Sequence, residues 1–191
     1  MLADAFEVTA CPPVGMADVS MQRKSGWKGP RALELAEQGG LPIPPEKNTW
    51  ILHDGGVIAR LGFTELFFEH AVESDWLSQL PKADAEGAIP VQRNDASLLL
   101  FGERLYELLA QICAYRFEAG MASSRTVVMT QMTGISITAI VIATAPVPAL
   151  RLWCDPAYAP SLWRSIEPIT QELSGGPVGL AELNRFGVPY V

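Results

Sequence analysis

Thr126-Val-Val-Met-Thr-Gln-Met-Thr-Gly-Ile-Ser-Ile-Thr-Ala-Ile-Val-Ile-Ala-Thr-Ala-Pro-Val-Pro-Ala-Leu150 is an unbroken run of 25 uncharged residues, and its reading decides the fold. A run of that length is long enough to cross a bilayer as a helix. Its interior argues otherwise. Thr126, Thr130, Gln131, Thr133, Ser136 and Thr138 interrupt it, Gly134 sits near its middle, and Pro146 and Pro148 punctuate its end. From Ile135 the residues begin by alternating at period two, as a strand with one buried face requires and a lipid-facing helix does not. The run therefore predicts a pair of long buried strands. Arg151-Leu-Trp-Cys154 predicts a third strand. Ala157 to Leu173, with Leu162, Ile166, Ile169 and Leu173 on one stripe, predicts a helix covering them. Asp155-Pro156 opens that helix, and Pro168 is expected to bend it or force a restart.

Upstream, Phe101, Leu105, Leu108, Leu109, Ile112 and Cys113 fall on another helical stripe, behind a strand over Ala96–Phe101. Cys113 on that stripe reads as a core residue and not as a reactive thiol. Thr49–Leu52 and Val57–Leu61 flank Asp54-Gly55-Gly56, whose residues tolerate the positive φ of a tight turn, so a hairpin is expected there. Glu65–Glu69 predicts a third strand, and Ser74 caps a short helix carrying Trp76 and Leu77. Gly29-Pro30 opens a helix that Gly39-Gly40 ends, with the extended Leu41-Pro-Ile-Pro-Pro45 beyond it. A first strand is expected around Val19 and Met21. Cys11-Pro-Pro-Val-Gly15 resists regular structure, because its prolines lack N–H donors. Gly175-Gly-Pro-Val-Gly179 reads as a helix stop, with a short turn or helix around Leu180–Arg185 after it.

The order β-α-β-β-β-α thus occurs twice, once from Asp18-Val-Ser20 and once from Asp95-Ala-Ser97. The expected organisation is an arm at 1–16, a first half at 17–80, a linker at 81–93 and a second half at 94–191. The fold class is α+β: two similar subdomains of antiparallel sheet, each covered by helices.

Composition narrows the function classes. A net charge of −7 without a basic run argues against nucleic acid and against an anionic membrane surface. Apolar residues at 49% against 18% charged leave a mild surplus that suits a buried partner surface. Cys11, Cys113 and Cys154 are far apart, and His53 and His70 are the only histidines, so no metal site of ordinary spacing is expected. Unpaired cysteines and an acidic N-terminus suit the cytoplasm. No glycine-rich phosphate loop or nucleophile elbow occurs, and no catalytic residue is assigned. His53 beside Asp54 points to the opposite strand face, so it reads as a turn-flanking surface histidine, and His70 reads the same way.

Arg125, Gln131, Arg151 and Asp155 are the polar groups that border the apolar run. Arg151 and Trp153, two apart on a strand, share a face. That face can clamp a planar, carboxylate-bearing ligand, can pair Arg151 with a carboxylate at a subunit interface, or can hold an ordinary arginine lying along apolar surface.

Dispersed residues carry a family resemblance. In the first half these are Asp18-Val-Ser20, Gly29-Pro30, Asn48-Thr-Trp50 and Leu61-Gly-Phe-Thr-Glu65. In the second they are Asp95-Ala-Ser-Leu-Leu-Leu100, Met129-Thr-Gln-Met-Thr-Gly-Ile-Ser136 and Leu152-Trp-Cys-Asp-Pro-Ala-Tyr158 with Leu162-Trp163. Together they resemble the gamma-subunit family of heterotetrameric sarcosine oxidases, within the glycine-cleavage T-protein (aminomethyltransferase, folate-binding) superfamily. The resemblance implies an aminomethyltransferase folate-binding-domain-like fold. It also implies a non-catalytic accessory subunit of a flavin-dependent N-methyl amine demethylase, with flavins in larger partner subunits and no cofactor in this chain. The alternative it allows is a stand-alone tetrahydrofolate-binding protein of one-carbon metabolism, or a self-associating one. Trp50, Arg151 and Trp153 would then be the stacking and carboxylate-binding groups. The third, barrel-like domain of a full aminomethyltransferase and the acidic segment of its folate site are not recognisable in these residues.

Overall fold

The computed structural model describes residues 11–70, 87–118, 120–142 and 147–188. The chain is α+β, built on two sheets. One holds β3 (Thr49–His53), β4 (Gly56–Arg60), β5 (Glu65–His70), β2 (Arg23–Lys28) and β6 (Ile89–Gln92), in that order. The other holds β11 (Gly176–Pro177), β1 (Gly15–Asp18), β7 (Ala96–Phe101), β10 (Ala149–Cys154), β9 (Ile135–Ile142) and β8 (Val127–Met132). Every pairing is antiparallel except β1 with β11. The uncharged run is therefore the β8–β9 hairpin, closed by Thr133 and Gly134 at positive φ. Among the described residues no helix is long and apolar enough to cross a membrane.

The repeat is present, but its phase differs from the one expected. The orders β3-β4-β5-β2 and β8-β9-β10-β7 are the same arrangement twice. Equivalent backbone bonds fix the correspondence. Gly29 N–H donates to Thr64 O at 3.0 Å, as Gly102 N–H does to Pro148 O at 3.0 Å. Arg31 N–H donates to Gly87 O, as Arg104 N–H does to Pro13 O. The unit thus begins at β2 and β7, and each unit takes its last strand from across the molecule. β1 precedes the first unit yet pairs with β7 of the second, while β6, within the stretch read as a linker, pairs with β2 of the first. Asp18-Val-Ser20 is therefore not the partner of Asp95-Ala-Ser97. The end of the expected arm, Val14 to Met16, is buried, because the run of prolines stops at Pro13 and leaves apolar residues free to pair.

Three apolar layers result. Between the sheets lie Trp50, Ala59, Phe67, Leu99, Ile140 and Trp153. Outside the larger sheet, α2 (Leu105–Ile112) sets down Leu105, Leu108, Leu109 and Ile112, one face at i, i+3, i+4 and i+7. Beside it α4 (Ala159–Glu172) sets down Leu162 and Ile166, and it runs through Pro168 without ending. Each such leucine or isoleucine contributes about 2 kcal/mol of burial. Outside the smaller sheet, α1 (Ala32–Gln38) packs Ala32, Leu35 and Ala36 against Trp27, Ile58 and Phe68. A four-residue α3 (Met121–Ser124) and α5 (Leu180–Phe186) complete the set.

Several local expectations change. Phe101 belongs to β7 and packs in the inter-sheet layer, because Gly102 at φ +124° turns the chain before the helix begins. Gly176-Pro177, read as a helix stop alone, also forms the short parallel strand β11. The helix expected from Ser74 lies outside the described residues. Cys113 is buried, as expected.

The sheet edges are blunted, which limits edge-to-edge association. Pro177 and Pro90 sit in the two outer edge strands. At the other edges β3 and β8 meet in a bridge between Thr49 and Thr126. There Trp50 N–H donates to Arg125 O at 2.9 Å and Val127 N–H to Asn48 O at 2.7 Å.

Gly102 is expected to resist replacement far more than a turn glycine with open space around it. A Cβ there would stand 2.3 Å from Pro13 O, whereas at Gly55 (φ +71°) nothing lies within 4 Å. Gly102→Ala should cost about 2–4 kcal/mol and Gly55→Ala about 1 kcal/mol in urea unfolding. Equal losses would show that the crossing strand yields.

Candidate functional site

Among the described residues the inter-sheet layer is apolar except at one place. β5 reads Glu-Leu-Phe-Phe-Glu-His, and its alternation carries Phe67 and Glu69 to the same side, toward the other sheet. Glu69 is fully buried there. From β10 of the facing sheet, Arg151 brings its guanidinium edge-on. Nε donates to Glu69 Oε2 at 3.1 Å, and Nη2 lies 2.9 Å from Oε1. Ser97 of β7 donates its hydroxyl to Oε1 at 2.8 Å. Lys24 of β2 places Nζ 3.4 Å from Oε1 and donates to the carbonyls of Ser20 and Gln22 at 3.0 and 2.9 Å. Two cations and one anion are thus buried together, with side-chain exposures of 2% for Lys24, 1% for Arg151 and 0% for Glu69.

Burial by itself pushes the Glu69 carboxyl upward, but Arg151, then Lys24, with the Trp153 indole adding, outweigh it and hold the group below its ordinary range. Lys24 moves down. Burial is the main cause, and the nearby Arg151 adds to it against the opposing pull of Glu69. Both carboxylate oxygens are occupied by donors and shielded from water. A base needs a free lone pair within reach of a substrate proton. This carboxylate is a clamp between sheets.

The pseudo-symmetry makes the clamp more informative. Counting on from Thr64 and Pro148, Phe67 is equivalent to Arg151 and Glu69 to Trp153. Phe67 and Trp153 also meet, edge to face, with ring centroids 5.0 Å apart. Two equivalent positions across the sheets therefore hold an aromatic pair in one sense and an ion pair in the other. Arg93 lies over the Phe67 ring at 5.6 Å, is bonded to Glu65 and stands 3.9 Å from Asp95. It forms a narrow crevice with Leu61, Asp95, Thr138 and Trp153. The crevice shares Asp95, Thr138 and Trp153 with a shallow hollow of about 530 Å³ on the larger sheet.

Trp50, Arg151 and Trp153 are thus brought to one layer, but to its inside. Trp50 is 3% and Trp153 2% exposed. Arg151 finds its carboxylate within the same chain. Arg125, by contrast, is exposed, with a left-handed backbone at the corner where the sheets meet. Gln131 and Asp155 are exposed on the hollow. His70 is buried at the end of β5 instead of lying on the surface, because β4 and β2 flank it on both sides. His53 is half-buried in β3. Reading the sequence missed Glu69, Lys24 and Ser97. The available signal was Glu69 itself, an acid between Phe68 and His70 and in phase with Phe67.

No known family's sequence profile matches the chain, and no curated protein matches it in sequence. Solved structures do match in fold. A chain of the heterotetrameric sarcosine oxidase from Corynebacterium sp. U-96, in complex with pyrrole 2-carboxylate, superposes with a TM-score of 0.70 at 17% identity, covering 92% of both chains. The glycine cleavage system aminomethyltransferase T from Bartonella henselae gives 0.61 at 15% identity, over 92% of this chain. This chain spans 50% of the length of that aminomethyltransferase. At such identities the likeness is one of fold.

Removing the acid from the clamp is expected to cost more than any surface substitution. Glu69→Ala strands Arg151 and Lys24 without an anion and should lose about 3–5 kcal/mol. A carboxyl whose folded pKa is depressed contributes its full stability above the unfolded value of about 4.3 and loses it as pH falls through the folded value. Urea unfolding across pH should therefore show an acid limb below about pH 4 in the parent that is shallower in Glu69→Gln. Parallel limbs would remove Glu69 from the acid response.

Proposed function

We propose that the chain is a non-catalytic accessory subunit of a flavin-dependent, sarcosine oxidase-type N-methyl amine demethylase, in which larger partner subunits hold the flavins. The observation that carries the reading is the end-to-end correspondence with one chain of a heterotetrameric sarcosine oxidase, 92% of each. Two further features support it. The buried ionic cluster joins the sheets, with both carboxylate oxygens of Glu69 taken by donors from the facing sheet. The three cysteines are free and, in two cases, buried, as suits a subunit working in the cytoplasm.

Tetrahydrofolate held by Trp50, Arg151 and Trp153 is the weaker reading. Trp50 and Trp153 are almost wholly covered and Arg151 is already paired with Glu69, so a ligand held by all three must part the two sheets and break that pair. Titration of the isolated chain with tetrahydrofolate is expected to leave tryptophan fluorescence unchanged after correction for absorption, up to about 1 mM, which bounds any binding to weaker than about −4 kcal/mol. Saturable quenching would reverse the preference.

The accessory reading is tested by co-expressing the tagged chain with flavin-binding sarcosine oxidase-type subunits from the same organism. The expected result is a stoichiometric complex that carries flavin absorbance through size exclusion. A chain that elutes alone beside soluble, flavin-loaded partners would overturn it.

A further inference from the structure

The two hairpins that the repeat makes equivalent differ in length. Thr49 and Thr126 occupy the same place, at the bridge between the sheets. From there β3 reaches its turn at Asp54-Gly55, whereas β8 runs two residues further before Thr133-Gly134. The additional pairs are Gln131 with Ser136 and Met132 with Ile135. Met132 turns outward into the helical layer and is fully buried. Gln131 and Ser136 turn the other way, onto a part of the sheet that the smaller sheet does not reach, and both are exposed. The first unit ends its hairpin without this overhang; in the second, the outward side of the overhang serves the core through Met132, while its other side, Gln131 and Ser136, stays open.

The hollow of about 530 Å³ lies on this overhanging face. On this face Thr138 and the nearly covered Trp153 form the floor and Met129, 53% exposed, the apolar edge, while Ile137 and Cys154 turn their side chains into the helical layer behind. Its rim is acidic. Asp155 is exposed and spends one oxygen on the N–H of Ala157 at 2.8 Å, leaving the rest of its acceptor capacity to the outside. Asp95 stands 3.9 Å from Arg93, which is already bonded to Glu65, and also interacts with the buried Lys24. Among the described residues no lysine or arginine lines the hollow. An exposed methionine beside two carboxylates, one of them open to solvent, complements a long cationic side chain, whose stem covers apolar surface while its head reaches the acids.

We propose that this overhang docks a cationic loop of a partner polypeptide, with an arginine or lysine reaching Asp155 and Asp95 and its stem lying on Met129. The inference rests on the reading of the chain as a subunit of an assembly, and it supplies the face by which the chain would be held. Oppositely charged rims of this kind act on encounter and on partner choice, and salt weakens them.

The full-length chain labelled at its methionine methyls, of which there are six, gives a direct readout, with Met129 assigned by Met129→Leu. The probe is the peptide acetyl-Gly-Arg-Leu-Arg-Gly-amide, and its Glu-for-Arg counterpart is the control. The Met129 methyl is expected to shift saturably with the basic peptide and not with the acidic one, while the buried Met16 and Met132 stay in place. Raising the salt should weaken the effect. Gln131→Lys places a cation on an exposed strand position without touching the turn at Asp155, and should weaken binding about tenfold. Asp155→Asn keeps the turn acceptor and should weaken it in the same direction. No saturable shift, an equal response to the acidic peptide, or a response untouched by Gln131→Lys overturns the proposal. If the flavoprotein complex forms while Met129 stays silent, the face is wrong and the accessory reading stands. If Met129 responds while no complex forms, the reverse holds.

Discussion

One carboxylate sets the alignment of the two sheets. Glu69 leaves water entirely, and its company comes from three strands: Lys24 beside it, and Ser97 and Arg151 across the gap. Bringing opposite charges out of water together yields little net stability. Its value lies in what it forbids. Sliding the sheets by one residue would leave an acid and two cations buried and apart, at a cost that the surrounding apolar contacts do not cover. Phe67 on Trp153, at the equivalent place, adds apolar adhesion but tolerates displacement far better, because a ring edge meets a ring face over a broad range of positions.

The layers were legible in the chain, and their crossing was not. The β8–β9 hairpin, the Asp54-Gly55 turn and the α2 and α4 stripes followed from period and turn chemistry, which are local properties. β1 and β6 did not follow. Met16 and Ala17 are buried because β7 lies beside them, some eighty residues later in the chain, and no local pattern of four residues announces that. Arg151 shows the same limit for the site. Sharing a face with Trp153 was readable from spacing, whereas the identity of its partner depended on which strand of the other sheet came opposite. Glu69 drew no separate reading in the strand over Glu65–Glu69, although its phase with Phe67 places it inside.

Two glycines hold the crossings open. Gly29 and Gly102, at φ +130° and +124°, each press against the carbonyl of a residue that leads into the exchanged strand, Gly87 in one case and Pro13 in the other. A side chain at either place would meet backbone that has nowhere to go. The helices α1 and α2 then start from the same carbonyls, through Arg31 and Arg104. The covering helix of each unit is thereby oriented by a strand that belongs, in sequence, to the approach to the other.

That interlacing bears on how such a chain can arise and fold. A single unit carrying its own leading strand cannot complete its sheet by itself, since the strand points away from it. Two identical copies would complete each other, giving a two-fold symmetric dimer knit by exchanged strands. Joining the copies end to end turns that dimer into one chain and lets the equivalent positions diverge, an acid here and an indole there. The inheritance is kinetic as well: neither sheet can close until distant parts of the polypeptide have met, so folding must wait on long-range encounter.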